Sequence, residues 1–147
     1  MTSVFEGTPE DRLEIDGLVR RFFAAFTNEG GATPDVAALE NLFIPQAIIV
    51  KTVGNKPEIY SVQGFIDPRL RILTDGTLVD FREEEMASRT EIFGNVAQRF
   101  SQYRKSGVMS GERIEGKGAK VIQFVCTSAG WRISALAWDD EPENRPA

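Results

Sequence analysis

The sequence predicts a single α+β domain over residues 1–147, with a core of about residues 8–140. The 147 residues match the usual size of one domain and can bury a core without disulfides or metals. Apolar residues recur at helical spacing in the first half of the chain, whereas β-branched and aromatic segments dominate the second half. Local helices followed by a run of antiparallel strands are typical of this class.

Three N-terminal helices are predicted, over residues 9–26, 34–44 and 62–73. Thr8 is a suitable N-cap for the first helix, because Pro9 and two acidic residues follow it. Pro45 is expected to stop the second helix, and Pro68 to bend or restart the third.

Six strands are predicted, over residues 47–53, 58–61, 77–93, 96–103, 120–127 and 131–139. Residues 104–117 are polar and contain three glycines, so they are predicted to form a loop, and residues 141–147 are expected to fray. The order is α-α-β-β-α-β-β-β-β. A strongly curved, mostly antiparallel sheet wrapped against its own helices would form a cone with one open mouth.

Charge and rare residues exclude several kinds of function. The net charge of −5 lacks the basic field that nucleic-acid binding needs. The chain has no histidine, which excludes Ser-His-Asp nucleophiles and histidine zinc sites. Acid–base chemistry must therefore use Asp, Glu, Tyr, Lys or the single cysteine, Cys126. Cys126 lies in an apolar strand and is expected to be a buried structural thiol.

Neither a cofactor nor a metal is expected, because the acidic residues lie in strands rather than in a loop of oxygen ligands. No apolar run reaches the length of a membrane span, so no membrane partner is expected. The first six residues carry no basic region and no apolar stretch, and one cysteine permits no internal disulfide. Together these features favour a cytoplasmic location.

Short segments of the second half resemble a known superfamily. They are LTDG (73–76), FGNVA (93–97), GWRI (130–133) and WDDE (138–141). With the element order, they resemble the uncharacterised bacterial branch of the nuclear-transport-factor-2-like superfamily, which includes SnoaL-like and ketosteroid-isomerase-like proteins. The resemblance extends from about Glu10 to Asp140 and implies a cystatin-like cone. It implies less about chemistry, because the first helix has phenylalanines where ketosteroid isomerases have a tyrosine, and no histidine matches scytalone dehydratase.

Strand alternation places Arg99 and Tyr103 on one face and Gln98 on the other. Two donors on one face can polarise a carbonyl or bind a carboxylate. The alternative is that Arg99 pairs with a carboxylate on a neighbouring strand and that Tyr103 packs at a dimer interface.

Two carboxylates are candidate acid–base residues. Glu85 shares a strand face with Glu83, and a glutamate in an apolar cone can serve as an acid or base. The alternative is a charged strand that discourages aggregation or pairs with arginines. Asp139 follows Trp138 at the end of the last strand, where it is either a base at the cone mouth or part of an acidic tail. Trp131 and Trp138 are seven residues apart and are expected on opposite faces of an unbroken strand.

Two functions follow from these features. The first is a small-molecule site in the cone, binding a small apolar ligand or acting as an isomerase, hydro-lyase or cyclase. Its acid–base residues would be Asp139 and Glu85, and its ligand contacts Arg99, Tyr103, Gln98, Gln123 and Trp138. The second is a non-catalytic interaction protein with a side-chain-filled cone. In either case we expect a homodimer through the exposed sheet face.

Overall fold

Two α-helices and six strands make up the described part of the chain, residues 4–142, in a computed structural model. The helices are α1 (Pro9–Ala24) and α2 (Val62–Thr74), and 3-10 segments span Glu29–Gly31 and Val36–Leu42. The strands are β1 (Phe43–Lys51), β2 (Glu58–Tyr60), β3 (Leu78–Phe93), β4 (Val96–Met109), β5 (Glu112–Thr127) and β6 (Gly130–Asp140). The sheet order is β2-β1-β6-β5-β4-β3, with β1 parallel to β6 and the other pairs antiparallel.

Helix α1 covers the inner face of the curved sheet. It begins with a capping box, in which the Thr8 hydroxyl accepts from the Asp11 amide and the Asp11 carboxylate accepts from the Thr8 amide. The buried side of the helix consists of Ile15, Leu18, Val19, Phe22 and Phe23. Each such side chain contributes about 1.5–3 kcal/mol on burial. The predicted cap is confirmed, and so is the apolar face of this helix except for Leu13, which is 69% exposed.

Pro45 behaves differently from the expectation, and Pro68 does not restart the third helix. Pro45 does not stop the second helix, because β1 already begins at Phe43. Pro45 lies between Phe43 and Ile48, where the pairing with β6 shifts register, so its missing amide hydrogen interrupts no ladder. Pro68 lies inside α2, which continues through it to Thr74.

The predicted loop over residues 104–117 is wrong. These residues extend β4 and β5 into a long hairpin, paired from Arg104 with Lys117 to Met109 with Glu112. Only Ser110 and Gly111 form the turn, and both have positive φ (50° and 84°), as in the tight turns that match strand twist. The segment is polar because much of it faces water, which is why its composition indicated a loop.

Strand β6 contains a bulge that corrects the prediction for the two tryptophans. Gln123 pairs with Ala135 and Phe124 with Ile133, so Ser134 is an extra residue on β6. The extra residue reverses the alternation, and both Trp131 and Trp138 point inward. Trp131 is buried and donates from Nε1 to Asp11 at 3.0 Å, which holds the pKa of that carboxyl below its usual value.

Cys126 is exposed, so the prediction of a buried thiol is wrong. It lies at the end of β5, one residue before the strand ends at Thr127. Burial at the end of a strand depends on which elements cover the strand rather than on apolar neighbours in the sequence.

No described helix is long and apolar enough to cross a membrane.

Candidate functional site

A cavity opens between the two helices and the inner face of the sheet. Its volume is about 180 Å³, below the ~300–1,000 Å³ of pockets for drug-sized ligands. It is close to the ~150 Å³ cavity that holds benzene in an engineered core. The space therefore suits a ligand with a single ring. Its apolar wall consists of Phe22, Phe26, Phe65, Ile72, Leu73, Leu78, Phe81, Met109, Ile114 and Trp138.

A buried ion pair forms one polar side of this cavity. Glu83 on β3 and Lys120 on β5 have side chains only 10% and 7% exposed, and Lys120 Nζ lies 2.8 Å from Glu83 Oε1. The same Oε1 has no hydrogen bond of acceptable geometry within residues 4–142. The distance establishes an ionic contact with Lys120, and because a carboxylate oxygen has two lone pairs, Oε1 can accept a further hydrogen bond from a ligand. A buried carboxylate with unused acceptor capacity is unusual, because desolvating it is costly.

Aromatic rings surround the Lys120 ammonium. Nζ lies 4.2 Å from the ring centre of Tyr103, 5.3 Å from Trp138 and 5.7 Å from Phe22. Cations within about 6 Å of an aromatic face are attracted by the ring quadrupole, more strongly when water is excluded. These rings help to keep a charge on the cavity wall.

A second polar side of the cavity is formed by Asp140, Tyr103 and Lys105. The Tyr103 hydroxyl donates to Asp140 Oδ1, and Lys105 Nζ donates to Asp140 Oδ2 at 2.7 Å. Burial raises the pKa of Tyr103, and the hydrogen bond to Asp140 raises it further, so the phenol stays protonated. Burial also opposes ionisation of Asp140, but the hydrogen bonds from Lys105 and Tyr103 outweigh it and lower the pKa of Asp140. Asp140 is therefore a weak base.

Gly118 makes this arrangement possible. It lies opposite Tyr103 on one side and Asp140 on the other. A Cβ at this position would lie 2.5 Å from the Tyr103 hydroxyl oxygen and 2.3 Å from the Asp139 carbonyl oxygen, closer than any packed contact.

Arg99 belongs to a separate cluster between α1 and the sheet, which we call the Arg99 cluster: Arg99, Glu85, Asp16, Ser101 and Thr90. Arg99 donates from Nε to Glu85 at 3.0 Å and from Nη1 to Asp16 at 2.7 Å, and a third contact joins Nη2 to Glu85. Ser101 also donates to Glu85, at 2.6 Å. Burial lowers the pKa of Arg99, but the bonds to Glu85 and Asp16 outweigh it and leave the pKa raised.

The structure separates the residues that were predicted to converge. Tyr103 and Trp138 line the cavity, whereas Glu85 and Arg99 bond each other outside its wall. The alternative interpretation of Arg99, pairing with a carboxylate on a neighbouring strand, is confirmed. Tyr103 is buried within the chain, so the alternative that it packs at a dimer interface is wrong.

Three further predicted site residues lie outside the cavity. Gln98 and Gln123 are paired neighbours on the exposed outer face, where alternation places them opposite Arg99. Asp139 is also exposed, and the next residue, Asp140, points inward instead. Asp139 directly follows Trp138, whose side chain lines the cavity, so the alternation of the strand places Asp139 on the outer face and Asp140 on the inner one.

Sequence reasoning missed the roles of Glu83, Lys120 and Arg69. The sequence correctly placed Glu83 on the same strand face as Glu85. Glu84 lies on the other face, where it forms ion pairs with Arg82 and Arg104. A lysine between Ala119 and Val121 in an apolar strand was an available signal for Lys120. Nothing in the sequence indicated that Arg69 lines the cavity.

Within residues 4–142, no cluster of three or more Cys, Asp or Glu side chains could hold a metal ion.

Comparison with known proteins identifies the fold. No protein-family model matches the chain, and no curated protein matches it. Among solved structures, an NTF2-like superfamily protein from Salmonella enterica has a TM-score of 0.74 at 14% identity, over 92% of this chain and 94% of that one. An NTF2-like protein with a cystatin-like fold from Novosphingobium aromaticivorans has a TM-score of 0.69 at 19% identity, over 94% and 85%. A cystatin-like protein of unknown function from Nostoc punctiforme has 0.70 at 16% identity, over 92% and 95%.

The chain therefore has the cystatin-like α+β cone of nuclear-transport-factor-2-like proteins, as the sequence predicted. At these identities the likeness defines the fold alone. The function has to be argued from the cavity.

Proposed function

We propose that the cone binds a small, mainly apolar molecule and exchanges a proton with it through Glu83. The observation that carries this proposal is the buried carboxylate on the cavity wall, whose Oε1 has an ionic neighbour but no aligned hydrogen bond. A ligand entering the cavity would meet apolar rings on one side and this oxygen on the other. That combination is usual for ligand pockets with few, precisely placed polar groups.

The chemistry follows from the groups beside the cavity. Glu83 accepts a proton from a carbon next to a carbonyl, and the electron pair moves toward the carbonyl oxygen. The Lys120 ammonium, held 2.8 Å from Glu83, stabilises the negative charge that develops there. Returning the proton from Glu83 to another carbon completes an isomerisation, and giving it to a hydroxyl on the β-carbon, which then leaves as water as the carbon–carbon double bond forms, completes a dehydration. Asp140 is unsuited to the role of base because Tyr103 and Lys105 already occupy both its oxygens.

The test is hydrogen–deuterium exchange of ligand protons. One-ring ketones that bind, as detected by quenching of tryptophan fluorescence, are incubated with the protein in D₂O and followed by proton NMR. We expect Glu83→Gln to slow the protein-catalysed exchange by about 10²–10⁴-fold, the usual contribution of a general base. Glu84→Gln is the matched control, because Glu84 directly follows Glu83 on β3 but its carboxylate faces the outer side of the sheet. Exchange that is equally fast in Glu83→Gln contradicts the proton-transfer role, and absence of binding contradicts the ligand site.

A second function, self-association, is supported by the outer face of the sheet. Four apolar residues lie side by side across β4, β5, β6 and β1; this outer band is Phe100, Val121, Ala137 and Val50. Phe100 and Val121 are each 46% exposed. Contiguous exposed apolar surface is typical of interaction sites. We propose that this outer band forms a homodimer.

Sedimentation at micromolar concentration tests the dimer. We expect the unmodified protein to sediment as a dimer and Phe100→Glu to sediment as a monomer. Leu13→Glu serves as the control, because Leu13 is 69% exposed on helix α1 and lies away from the outer face of the sheet. A monomer of 16.3 kDa for the unmodified protein would show that the band is not a dimer interface.

A further inference from the structure

The charges that line the cavity do not balance. Its wall contains four cationic side chains, Lys51, Arg69, Lys105 and Lys120, but only two anionic ones, Glu83 and Asp140. Lys105 pairs with Asp140, and Lys120 pairs with Glu83. Among the described residues, no carboxylate forms an ion pair with Arg69 or Lys51. The excess of positive charge is unexpected in a chain whose net charge is −5.

Aromatic rings hold the Arg69 guanidinium at the cavity wall. It lies 4.0 Å from the ring centre of Phe65, 5.3 Å from Tyr60 and 5.4 Å from Trp138. Nη1 donates to the carbonyl oxygen of Phe65 at 3.0 Å, one helical turn earlier. Burial lowers the pKa of Arg69, and the interactions with Tyr60, Glu83 and Glu58 offset only part of this effect. The stack fixes the plane of the guanidinium and therefore the direction of its donors.

We propose that the ligand of this cavity is a small organic acid, with a ring or branched apolar body and one carboxylate, and that Arg69 binds the carboxylate. This inference rests on the proposed ligand site and adds the chemical class of the ligand. A planar guanidinium matches a carboxylate through two parallel hydrogen bonds, and a partly desolvated site strengthens such bonds. Lys51 supplies a second positive charge on the same wall. The apolar wall accommodates the body of the acid, and the volume of about 180 Å³ limits that body to one ring.

Matched pairs of probes test the inference. Benzoate, phenylacetate and cyclohexanecarboxylate are titrated into the full chain at neutral pH, each beside its primary amide, and binding is followed by NMR shifts and calorimetry. We expect at least one acid to bind ten times more tightly than its amide or better. Arg69→Gln should remove this preference, so that each acid binds no more tightly than its amide. Arg71→Gln is the control, because Arg71 lies on the same helix but is exposed and outside the cavity wall.

The outcomes separate the two proposals. Acids and amides that bind equally well overturn the inference and leave the ligand site in place. Failure of all probes at millimolar concentration overturns both. A preference for acids that survives in Arg69→Gln shows that the carboxylate binds elsewhere, which also overturns the inference. Circular dichroism and thermal unfolding of Arg69→Gln show whether the fold is intact, and the retained amide binding shows whether the cavity is.

Discussion

Two sets of buried charged side chains lie on the inner face of the sheet, the Arg99 cluster and the Glu83–Lys120 pair. Both combine acidic and basic residues, but they differ in how many of their polar atoms have hydrogen-bond partners. In the Arg99 cluster, the guanidinium donates hydrogen bonds to Glu85, Asp16 and Thr90. Ser101 donates a further hydrogen bond to Glu85. At the cavity, the Glu83–Lys120 pair leaves Oε1 without an aligned hydrogen bond. The Arg99 cluster joins α1 to β3 and β4, whereas the cavity groups face empty space.

The comparison teaches that burial and charge alone do not identify a functional site. Arg99 and Glu85 were attractive candidates because they are polar residues on the inner face. Their bonding capacity is used within the protein, which makes them a structural connection. Unused bonding capacity beside a cavity is the more specific signal of a site, and Glu83 and Arg69 have it.

Removal of Arg99 should have the largest effect on stability. Arg99 is 6% exposed, and Arg99→Met would leave Glu85 and Asp16 without their partner. We expect a loss of about 3 kcal/mol in the free energy of unfolding, as for other broken buried pairs. Urea unfolding measures it, with the exposed Arg89→Met as control. A loss below about 1 kcal/mol would mean that the cluster is not a structural connection.

Gly118→Ala should perturb the cavity cluster next most strongly. The new Cβ would overlap the Tyr103 hydroxyl and the Asp139 carbonyl oxygen, so strands must shift. We expect a loss of about 2 kcal/mol, within the range for overpacked sites. Gly116→Ala is the control, since its Cβ meets only the flexible side chain of Lys105. Equal stability of the two variants, measured by thermal unfolding, would contradict this packing.

The acid limb of the stability curve should depend on Asp140. Its pKa is lowered from 3.8 in the folded protein, so the folded state binds the proton less readily than the unfolded chain does. The resulting stabilisation is complete above the unfolded pKa and is lost as the pH falls through the lower folded pKa. Asp140→Asn should therefore reduce the loss of stability between pH 5 and about pH 3. Urea midpoints at several pH values test this, and an unchanged acid limb counts against the Lys105–Asp140–Tyr103 arrangement.

The smallest effect is expected on the outer face of the sheet. Gln98→Ala and Gln123→Ala should leave ligand affinity within about twofold, because neither side chain reaches the cavity. Calorimetry with whichever probe binds measures this. A tenfold loss in either variant would restore these residues as ligand contacts and place the site on the other face.

Local patterns predicted much of the fold. The N-cap at Thr8 follows from residue type, and the apolar face of α1 and the shared face of Arg99 and Tyr103 on β4 follow from periodicity within one element. Which face of β4 points inward did not follow from the sequence. Elements whose limits depend on a partner were predicted less well. The hairpin over residues 104–117 has polar composition and is a strand because two long arms pair with each other.

The candidate site was predicted only in part, for a related reason. Tyr103 and Trp138 were correctly associated with the cone, but the carboxylates Glu85 and Asp139 were not the ones that reach the cavity. The hydrogen-bonding capacity of the Glu85 carboxylate is used by Arg99, and this contact depends on the pairing of β3 with β4. Asp139 points outward because of one inserted residue, Ser134, in the neighbouring stretch of β6.

The sequence by itself determined the α+β class, the order of the elements and the absence of histidine chemistry, since these depend on composition and on local spacing. The tertiary structure decided which side chains share the cavity. Bulges, strand register and long-range ion pairs set that choice, and each depends on contacts between residues far apart in the chain. A single-residue shift in a strand exchanges inward and outward side chains, so Asp140 rather than Asp139 lies beside Tyr103.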